Sequence, residues 1–319
     1  MIYHITHNDL DGVACSVLMR EVMKKKPQDY KVEFISYRQA KSFMDLQSFL
    51  QNAKEGDTVL VTDLSLAQTD GGVFMQVSSY LARRGIYLLY FDHHKDSCEF
   101  TPPSSPLVGE YHADMSRSAT KMVYDYFLSP VDANSSKRAL KIADFVDAVN
   151  AFDLWQQDSV HYNRGKSLNT LLSYFGIDEF INRGYLTKYT AQDANIVKFE
   201  ENRKRSLFER QHLQIIKDDF YYRIGVAFLN EYTSEFAQYV LDKYDNTLDA
   251  VQIIDMTNLK ISFRSRVGSD VDVSQIAKRL GGGGHKHAAG VSLTKGVTEF
   301  TREAIESWQE SFVNSSLRV

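Results

Sequence analysis

The stretch Ile86-Tyr87-Leu88-Leu89-Tyr90-Phe91-Asp92-His93-His94-Lys95 decides how the rest of the chain is read. Its first six residues are apolar or aromatic. That is long enough for a buried strand and too short for an ordinary helix. Three side chains able to bind a metal stand where the run stops. The simplest account of such a triplet is a capping Asp followed by two surface histidines. The choice between the two accounts depends on what the rest of the chain brings to the same place.

Working outward, the N-terminal part alternates between strand and helix. Ile2 to Thr6 reads as a strand. Val13 to Lys25 reads as a helix, with Val13, Val17, Leu18 and Val22 at helical spacing and a basic end that suits the helix dipole. Val32 to Ser36 is a second strand, and Gln39 to Ala53 a helix with Phe43, Leu46, Phe49 and Leu50 as its apolar stripe. Thr58 to Thr62 is a third strand, ending at Asp63. Phe74 to Arg83 is helical, with Gly85 as its stop. This alternation predicts right-handed crossovers and a doubly wound, mainly parallel sheet. Ligands of such sheets bind outside the carboxyl ends of the strands. Three of those ends are polar: His7-Asn8-Asp9-Leu10-Asp11-Gly12, Asp63, and Asp92-His93-His94. A turn with a helix cap needs one such residue at the first of these, not a His and two carboxylates on alternate positions.

Composition narrows the class of protein. The chain has 319 residues, 43% hydrophobic and 24% charged, which suits about two soluble globular domains. No apolar run approaches the ~18 residues of a membrane span. Met1-Ile2-Tyr3-His4-Ile5-Thr6 reads as a first strand, not a signal peptide. Two cysteines, Cys15 and Cys98, give no disulfide framework or metal spacing and fit a reducing, cytoplasmic setting. With 37 basic and 41 acidic residues the net charge is −4, too acidic for a protein that coats long duplex nucleic acid. A small anionic substrate remains compatible.

Further along, after a loop containing Pro102, Pro103 and Pro106, Ser118 to Phe127 and Lys137 to Val149 read as helices. The hydroxyls and Arg of Ser116-Arg117-Ser118-Ala119-Thr120 suit either a phosphate at a helix N-terminus or simple capping. Ala151-Phe152-Asp153-Leu154-Trp155 follows, with Trp155 read as a core aromatic, and Tyr162 to Arg183 reads as helical packing. The mixed charges of Thr190 to Lys217 read as a solvated connecting helix. The chain is thus expected to divide into a domain over 1–188, a linker helix over 189–218 and a smaller α/β domain over 219–319. In the last, Ile224 to Leu229, Ala250 to Met256 and Lys260 to Arg266 are strands, and Ser234 to Tyr244 and Val273 to Leu280 are helices. After them comes Gly281-Gly282-Gly283-Gly284-His285-Lys286-His287-Ala288-Ala289-Gly290. Such a glycine run permits positive φ, close backbone approach and an anion-binding nest of amides.

His7-x-Asp9-x-Asp11-Gly12, Asp63 and Asp92-His93-His94, in this order, resemble the first three motifs of the DHH phosphoesterase family. That family includes RecJ-type exonucleases, oligoribonucleases, cyclic-dinucleotide phosphodiesterases and family II pyrophosphatases. Gly282-Gly283-Gly284-His285-x-x-Ala288-Ala289-Gly290 resembles the substrate-binding signature of the DHH-associated C-terminal domain, so the resemblance covers nearly the whole chain. The family's fourth motif is an Asp after the helix, and Asp153 fits it, with Asp144 and Asp147 as rivals. The resemblance implies two divalent ions. His7, Asp9 and Asp63 would hold one, and Asp11, Asp63, His93 and Asp153 the other, with Asp63 bridging. Imidazole and carboxylate ligands suit Mn²⁺, with Mg²⁺ or Co²⁺ as substitutes. Asp92 would orient His93 or another ligand, and His94 would contact the phosphate being cut. Arg264, Gly282, Gly283, Gly284, His285 and His287 would bind the rest of the substrate.

What the resemblance implies for function is hydrolysis of short oligoribonucleotides, including linear dinucleotides such as pGpG, from 3′ to 5′. Partners would be short single-stranded oligoribonucleotides or dinucleotides, with no long duplex and no membrane. A homodimer is compatible with the sequence. A cyclic-dinucleotide or other small-nucleotide phosphodiesterase is the alternative within the family. A non-catalytic nucleotide sensor is the alternative outside enzymes, and the complete ligand set argues against it.

Overall fold

The computed structural model describes residues 1–36, 40, 42–105, 108–128, 137–185, 188–217, 222–245 and 247–292. The chain divides into two compact units, Met1–Lys198 and Phe199–Val319. The first is built from β1 (Ile2–His7), α1 (Leu10–Val22), β2 (Tyr30–Ile35), α2 (Phe43–Leu50), β3 (Thr58–Thr62), α3 (Gln68–Ala82), β4 (Tyr87–Asp92), α4 (Lys95–Glu99), β5 (Gly109–Ala113), α5 (Ala119–Phe127), α6 (Lys137–Asp153) and α7 (Tyr162–Arg183). The helix α8 (Ala191–Arg210) contains the point of division.

Five strands form a parallel sheet in the order β2-β1-β3-β4-β5. The decisive stretch is β4, and its side chains divide as a strand's must. Leu89 and Phe91 face a core shared with α1, α5, α6 and α7, where Val13, Leu18, Phe145 and Leu171 are buried. Leu88 and Tyr90 face the opposite core, with Leu46, Val59, Val61 and Phe74. Helices cover both faces, so the strand has no polar side and reads as a continuous apolar run. Each such side chain contributes about 1.5–3 kcal/mol of burial, which fixes strand register as well as stability.

The strand β5 lies in what the sequence suggests is a loop. Gly109-Glu110-Tyr111-His112-Ala113 is a half-buried edge strand of mixed polarity, so it carries little periodic signal. Pro106 and Gln39, placed by the sequence in a loop and a helix, lie outside the described residues. Trp155 is half-buried, with φ at 56° and its ring edge-on to Tyr162 at 5.8 Å.

The second unit has a six-stranded mixed sheet in the order β10-β11-β9-β8-β7-β6. Its strands are β6 (Gln214–Lys217), β7 (Arg223–Phe228), β8 (Ala250–Asp255), β9 (Lys260–Ser265), β10 (Gly283–His285) and β11 (Ala288–Ser292), with helices α9 (Thr233–Lys243) and α10 (Val273–Arg279). Among the described strands of this sheet only β7 and β8 pair in parallel. Both units are α/β. Residues 214–217, within the charged stretch read as a linker helix, pair with β7 as a strand. The glycine run forms the β10–β11 hairpin. A Cβ on Gly284 would lie 2.5 Å from Ala289 Cα, so the two strands approach too closely for any other residue.

Candidate active site

The sheet order reverses at β1, whose neighbours are β2 on one side and β3 on the other. The crossovers from β1 to β2 and from β2 to β3 leave a crevice at the carboxyl ends of β1 and β3. His7 is the last residue of β1, and Asp63 directly follows β3. Asp92 ends β4, with His93 and His94 after it. Asp9 caps α1 by accepting a hydrogen bond from the Gly12 amide at 3.1 Å, and Asp11 lies in the first turn. Asp153 is the last residue of α6. The sequence ends this helix near Val149, but it continues to Asp153.

Two local features make the convergence possible. A Cβ at position 12 would stand 2.2 Å from the His7 carbonyl oxygen, so only glycine lets α1 fold back this closely onto β1. Asp63 has φ at 56°, a left-handed conformation that costs an ordinary residue about 1–2 kcal/mol and that Asp and Asn tolerate best. Its amide donates to Phe91 O at 3.0 Å, which helps hold this backbone in place.

The six residues expected to hold metal come together. His7 Nδ1 lies 2.8 Å from Asp9 Oδ2 and 3.7 Å from Asp63 Oδ2. His93 Nε2 lies 3.4 Å from Asp63 Oδ1, 3.4 Å from Asp153 Oδ2 and 4.0 Å from Asp11 Oδ2. Ligand atoms of His7, Asp9 and Asp63 all lie within 4.8 Å of one another, as do those of Asp11, His93 and Asp153. His94 joins a third such group with Asp63 and His93. A ligand atom of His94 is therefore also within reach of this group.

Four carboxylates share this site, and two of their oxygens, Asp63 Oδ2 and Asp153 Oδ2, are buried with no hydrogen-bond partner among the described residues. Burial, followed by the charges of Asp9, Asp11 and Asp153, pushes the pKa of Asp63 well above the usual carboxylate range. Burial and the charges of Asp11, Asp9 and Asp92 do the same to Asp153. Buried, mutually repelling carboxylates beside two imidazoles fit divalent cations, which would supply the charge and the coordination that these oxygens lack. The donor set is oxygen and nitrogen with no thiolate, which suits Mn²⁺ or Mg²⁺.

Around the six ligands, further groups hold the geometry. Asp92 is fully buried and accepts from His94 Nδ1 at 2.6 Å, from Tyr90 OH at 3.3 Å and from Ser97 Oγ. It therefore orients His94, not His93. Against the cost of burying charge, Asp92 raises the pKa of His94, and His94 lowers that of Asp92. The Ala119 and Thr120 amides donate to the two oxygens of Asp11 at 2.8 and 2.9 Å. Ser118 caps the same helix by accepting from the Lys121 amide. That N-terminus is thus engaged by Asp11 and Ser118, as capping requires. The two rivals of Asp153 point elsewhere. Asp144 pairs with His161 and Arg164, and Asp147 with Lys121 at 3.2 Å. The sequence reading missed Tyr90, Ser97 and the α5 amides, because a buried Tyr looks apolar in a strand and backbone donors carry no sequence signal.

In the second unit, Arg264, Gly283 and Gly284 line an open cavity of about 240 Å³, together with Lys260 and with Thr233 and Ser234 at the start of α9. Gly282, His285 and His287 do not line it. The His287 Nδ1 instead lies 2.9 Å from Ser265 Oγ, and His285 is exposed on β10.

A parallel sheet with a His/Asp cluster at its switch point, followed by a mixed-sheet unit with a Gly-rich hairpin, defines a two-unit α/β class of protein. The family model described as the DHH family, N-terminal domain, matches residues 1–149, and that of the DHHA1 domain matches residues 223–311. The chain belongs to the DHH family. It is 29% identical to oligoribonuclease NrnB of Bacillus subtilis, over 95% of this chain and 76% of that protein. It is 25% identical to a 3′,5′-cyclic-nucleotide phosphodiesterase of Helicobacter pylori, over 62% of this chain and 58% of that protein. Among solved structures, RecJ of Thermus thermophilus in complex with Mn²⁺ superposes with a TM-score of 0.55 at 15% identity, covering 96% of this chain and 51% of RecJ.

Proposed function

We propose that the chain is a metal-dependent phosphodiesterase that hydrolyses short oligoribonucleotides, linear dinucleotides such as pGpG included, from the 3′ end to 5′-mononucleotides. The observation that carries this reading is the pair of three-residue ligand groups, one containing Asp63 and the other beside it through His93, with buried carboxylate oxygens that lack a donor. The likeness to NrnB over nearly the whole chain favours short oligoribonucleotides among phosphoesters.

In this reading His7, Asp9 and Asp63 would hold one divalent ion, Mn²⁺ for preference, and Asp11, Asp63, His93 and Asp153 the second. Such ions would supply the positive charge and the water activation that a phosphoryl displacement needs. The residues of the chain do the rest. Asp92 accepts from Nδ1–H of His94, which fixes the tautomer and favours the charged imidazole. The opposite nitrogen of His94 then offers a proton to a non-bridging phosphate oxygen. The backbone amides on Asp11 keep both its oxygens in place while it serves as a ligand. In the second unit, Arg264 forms charge-assisted hydrogen bonds to a phosphate of the substrate, and the wall of Gly283 and Gly284 admits the nucleotide close to the backbone.

The test is incubation of the purified protein with Mn²⁺ and labelled RNAs two to five residues long. Mononucleotides should accumulate, and Asp63→Ala should release none. No product from any length, or unchanged turnover in Asp63→Ala, refutes the proposal. The Helicobacter relative supports a second reading, a cyclic-nucleotide phosphodiesterase. Faster cleavage of a cyclic nucleotide or dinucleotide than of linear pGpG selects that one.

A further inference from the structure

Beneath the ligands runs a line of polar side chains inside an otherwise apolar sheet. His4, Thr6 and Thr62 are all 0% exposed. Tyr30 OH lies 2.7 Å from His4 Nδ1, His4 Nε2 lies 2.8 Å from Thr62 Oγ1, and Thr62 Oγ1 lies 2.7 Å from Thr6 Oγ1. Thr6 Oγ1 donates to the Gly12 carbonyl at 3.0 Å. A carbonyl can only accept, and that fixes the direction of the whole line. Thr6 has one hydroxyl proton, given to Gly12, so it accepts from Thr62. Thr62 in turn accepts from Nε2–H of His4, whose Nδ1 accepts from the Tyr30 hydroxyl. Cys15 Sγ is also within reach of Thr62, but sulfur is the weaker acceptor. Each proton is used once, and each of these buried groups is satisfied.

The positions of these residues relate the line to the site. Thr6 directly precedes His7, Thr62 directly precedes Asp63, and Gly12 directly follows Asp11. Thr6 and Thr62 form the last register pair of the β1–β3 ladder. Past that pair, no β1–β3 backbone ladder sets the spacing of His7 from Asp63, which itself sits in a left-handed conformation. We propose that the Tyr30–His4–Thr62–Thr6–Gly12 chain of hydrogen bonds is a positioning device that sets the spacing of His7, Asp63 and Asp11. It joins the ends of β1 and β3 and the first turn of α1 through side chains. None of its side chains belongs to the groups that could hold a metal ion. His4, Thr6 and Thr62 act through the residue next to them or through one another, and Tyr30 anchors the line in the edge strand.

The inference rests on the reading of the cluster as a divalent-cation site. The experiment is titration of the full chain with Mn²⁺ by calorimetry, with free Mn²⁺ followed by electron paramagnetic resonance. Thr62→Val keeps the shape and removes the hydroxyl, and it should bind Mn²⁺ about 10-fold more weakly, the scale of groups that orient ligands. Thr62→Ser restores the hydroxyl and should recover affinity to within about 3-fold of wild type. Tyr30→Phe removes only the outermost proton, so its fold is the least disturbed, and it should weaken binding by about 2- to 5-fold. Wild-type affinity in Thr62→Val overturns the proposal, since a merely structural role would lower stability and leave affinity alone. If Thr62→Val does not fold, unchanged affinity in Tyr30→Phe overturns it instead. If the wild-type protein binds no Mn²⁺, the metal reading fails, and this inference with it.

Discussion

His4 should make the first unit sensitive to mild acid, and the size of the effect follows from its surroundings. The ring is fully buried, and burial lowers its pKa from the ordinary 6.5 to about 3. The sign follows from proton binding. Below pH 6.5 the unfolded chain protonates this imidazole while the folded protein does not, so stability falls as the pH falls, until the folded form also protonates near pH 3. Over the full window this comes to about 5 kcal/mol, at about 1.4 kcal/mol per pKa unit, and by pH 5 about 2 kcal/mol is already lost. The perturbation is His4→Gln, which keeps a donor toward Thr62 and cannot titrate. Urea unfolding followed by circular dichroism at pH 8, 6.5 and 5 measures the loss in each protein. The difference between the two losses isolates His4, because the carboxylates of the Asp/His cluster are common to both. Wild type should lose about 2 kcal/mol more than His4→Gln between pH 8 and pH 5. Equal losses, within about 0.5 kcal/mol, would refute the reasoning.

Two further outcomes are expected. Asp63→Asn keeps a residue that tolerates the left-handed backbone and removes a buried, repelled carboxylate, so the cation-free protein should gain about 1 kcal/mol in unfolding experiments. The same variant should lose the Mn²⁺-induced rise in melting temperature, and if it melts as wild type does with and without Mn²⁺, the electrostatic account of the cluster is wrong. Gly12→Ala places a Cβ 2.2 Å from the His7 carbonyl oxygen and should destabilise the first unit by about 3 kcal/mol. Wild-type stability in this variant would mean that the close approach of α1 to β1 is not needed.

Much of the first unit was legible because its sheet is buried on both faces. The apolar runs ending at Thr6, Thr62 and Phe91 mark three strands, and the polar residues after them mark the ligand edge. The strand β5 was not legible, because an edge strand with Gly109, Glu110 and His112 lacks both a continuous run and clean alternation. The end of α6 was misjudged by a turn, since Asn150-Ala151-Phe152 carries no stop signal. For the site, residue type and order picked out His7, Asp9, Asp11, Asp63 and His93, and the family resemblance added Asp153. Residue type alone left Asp144 and Asp147 in contention with Asp153.

By itself the sequence determined that imidazoles and carboxylates stand at the carboxyl ends of β1, β3 and β4, because strand alternation and the parallel topology fix those positions. The tertiary structure decided what each carboxylate does. Asp144 and Asp147 are paired with His161, Arg164 and Lys121, while Asp153 is turned to His93. Asp92 accepts from His94, and Asp11 is held by two backbone amides. These roles come from partners distant in the chain, from buried hydroxyls and from backbone donors. No local pattern encodes such partners, since they meet only after the sheet has closed around its switch point.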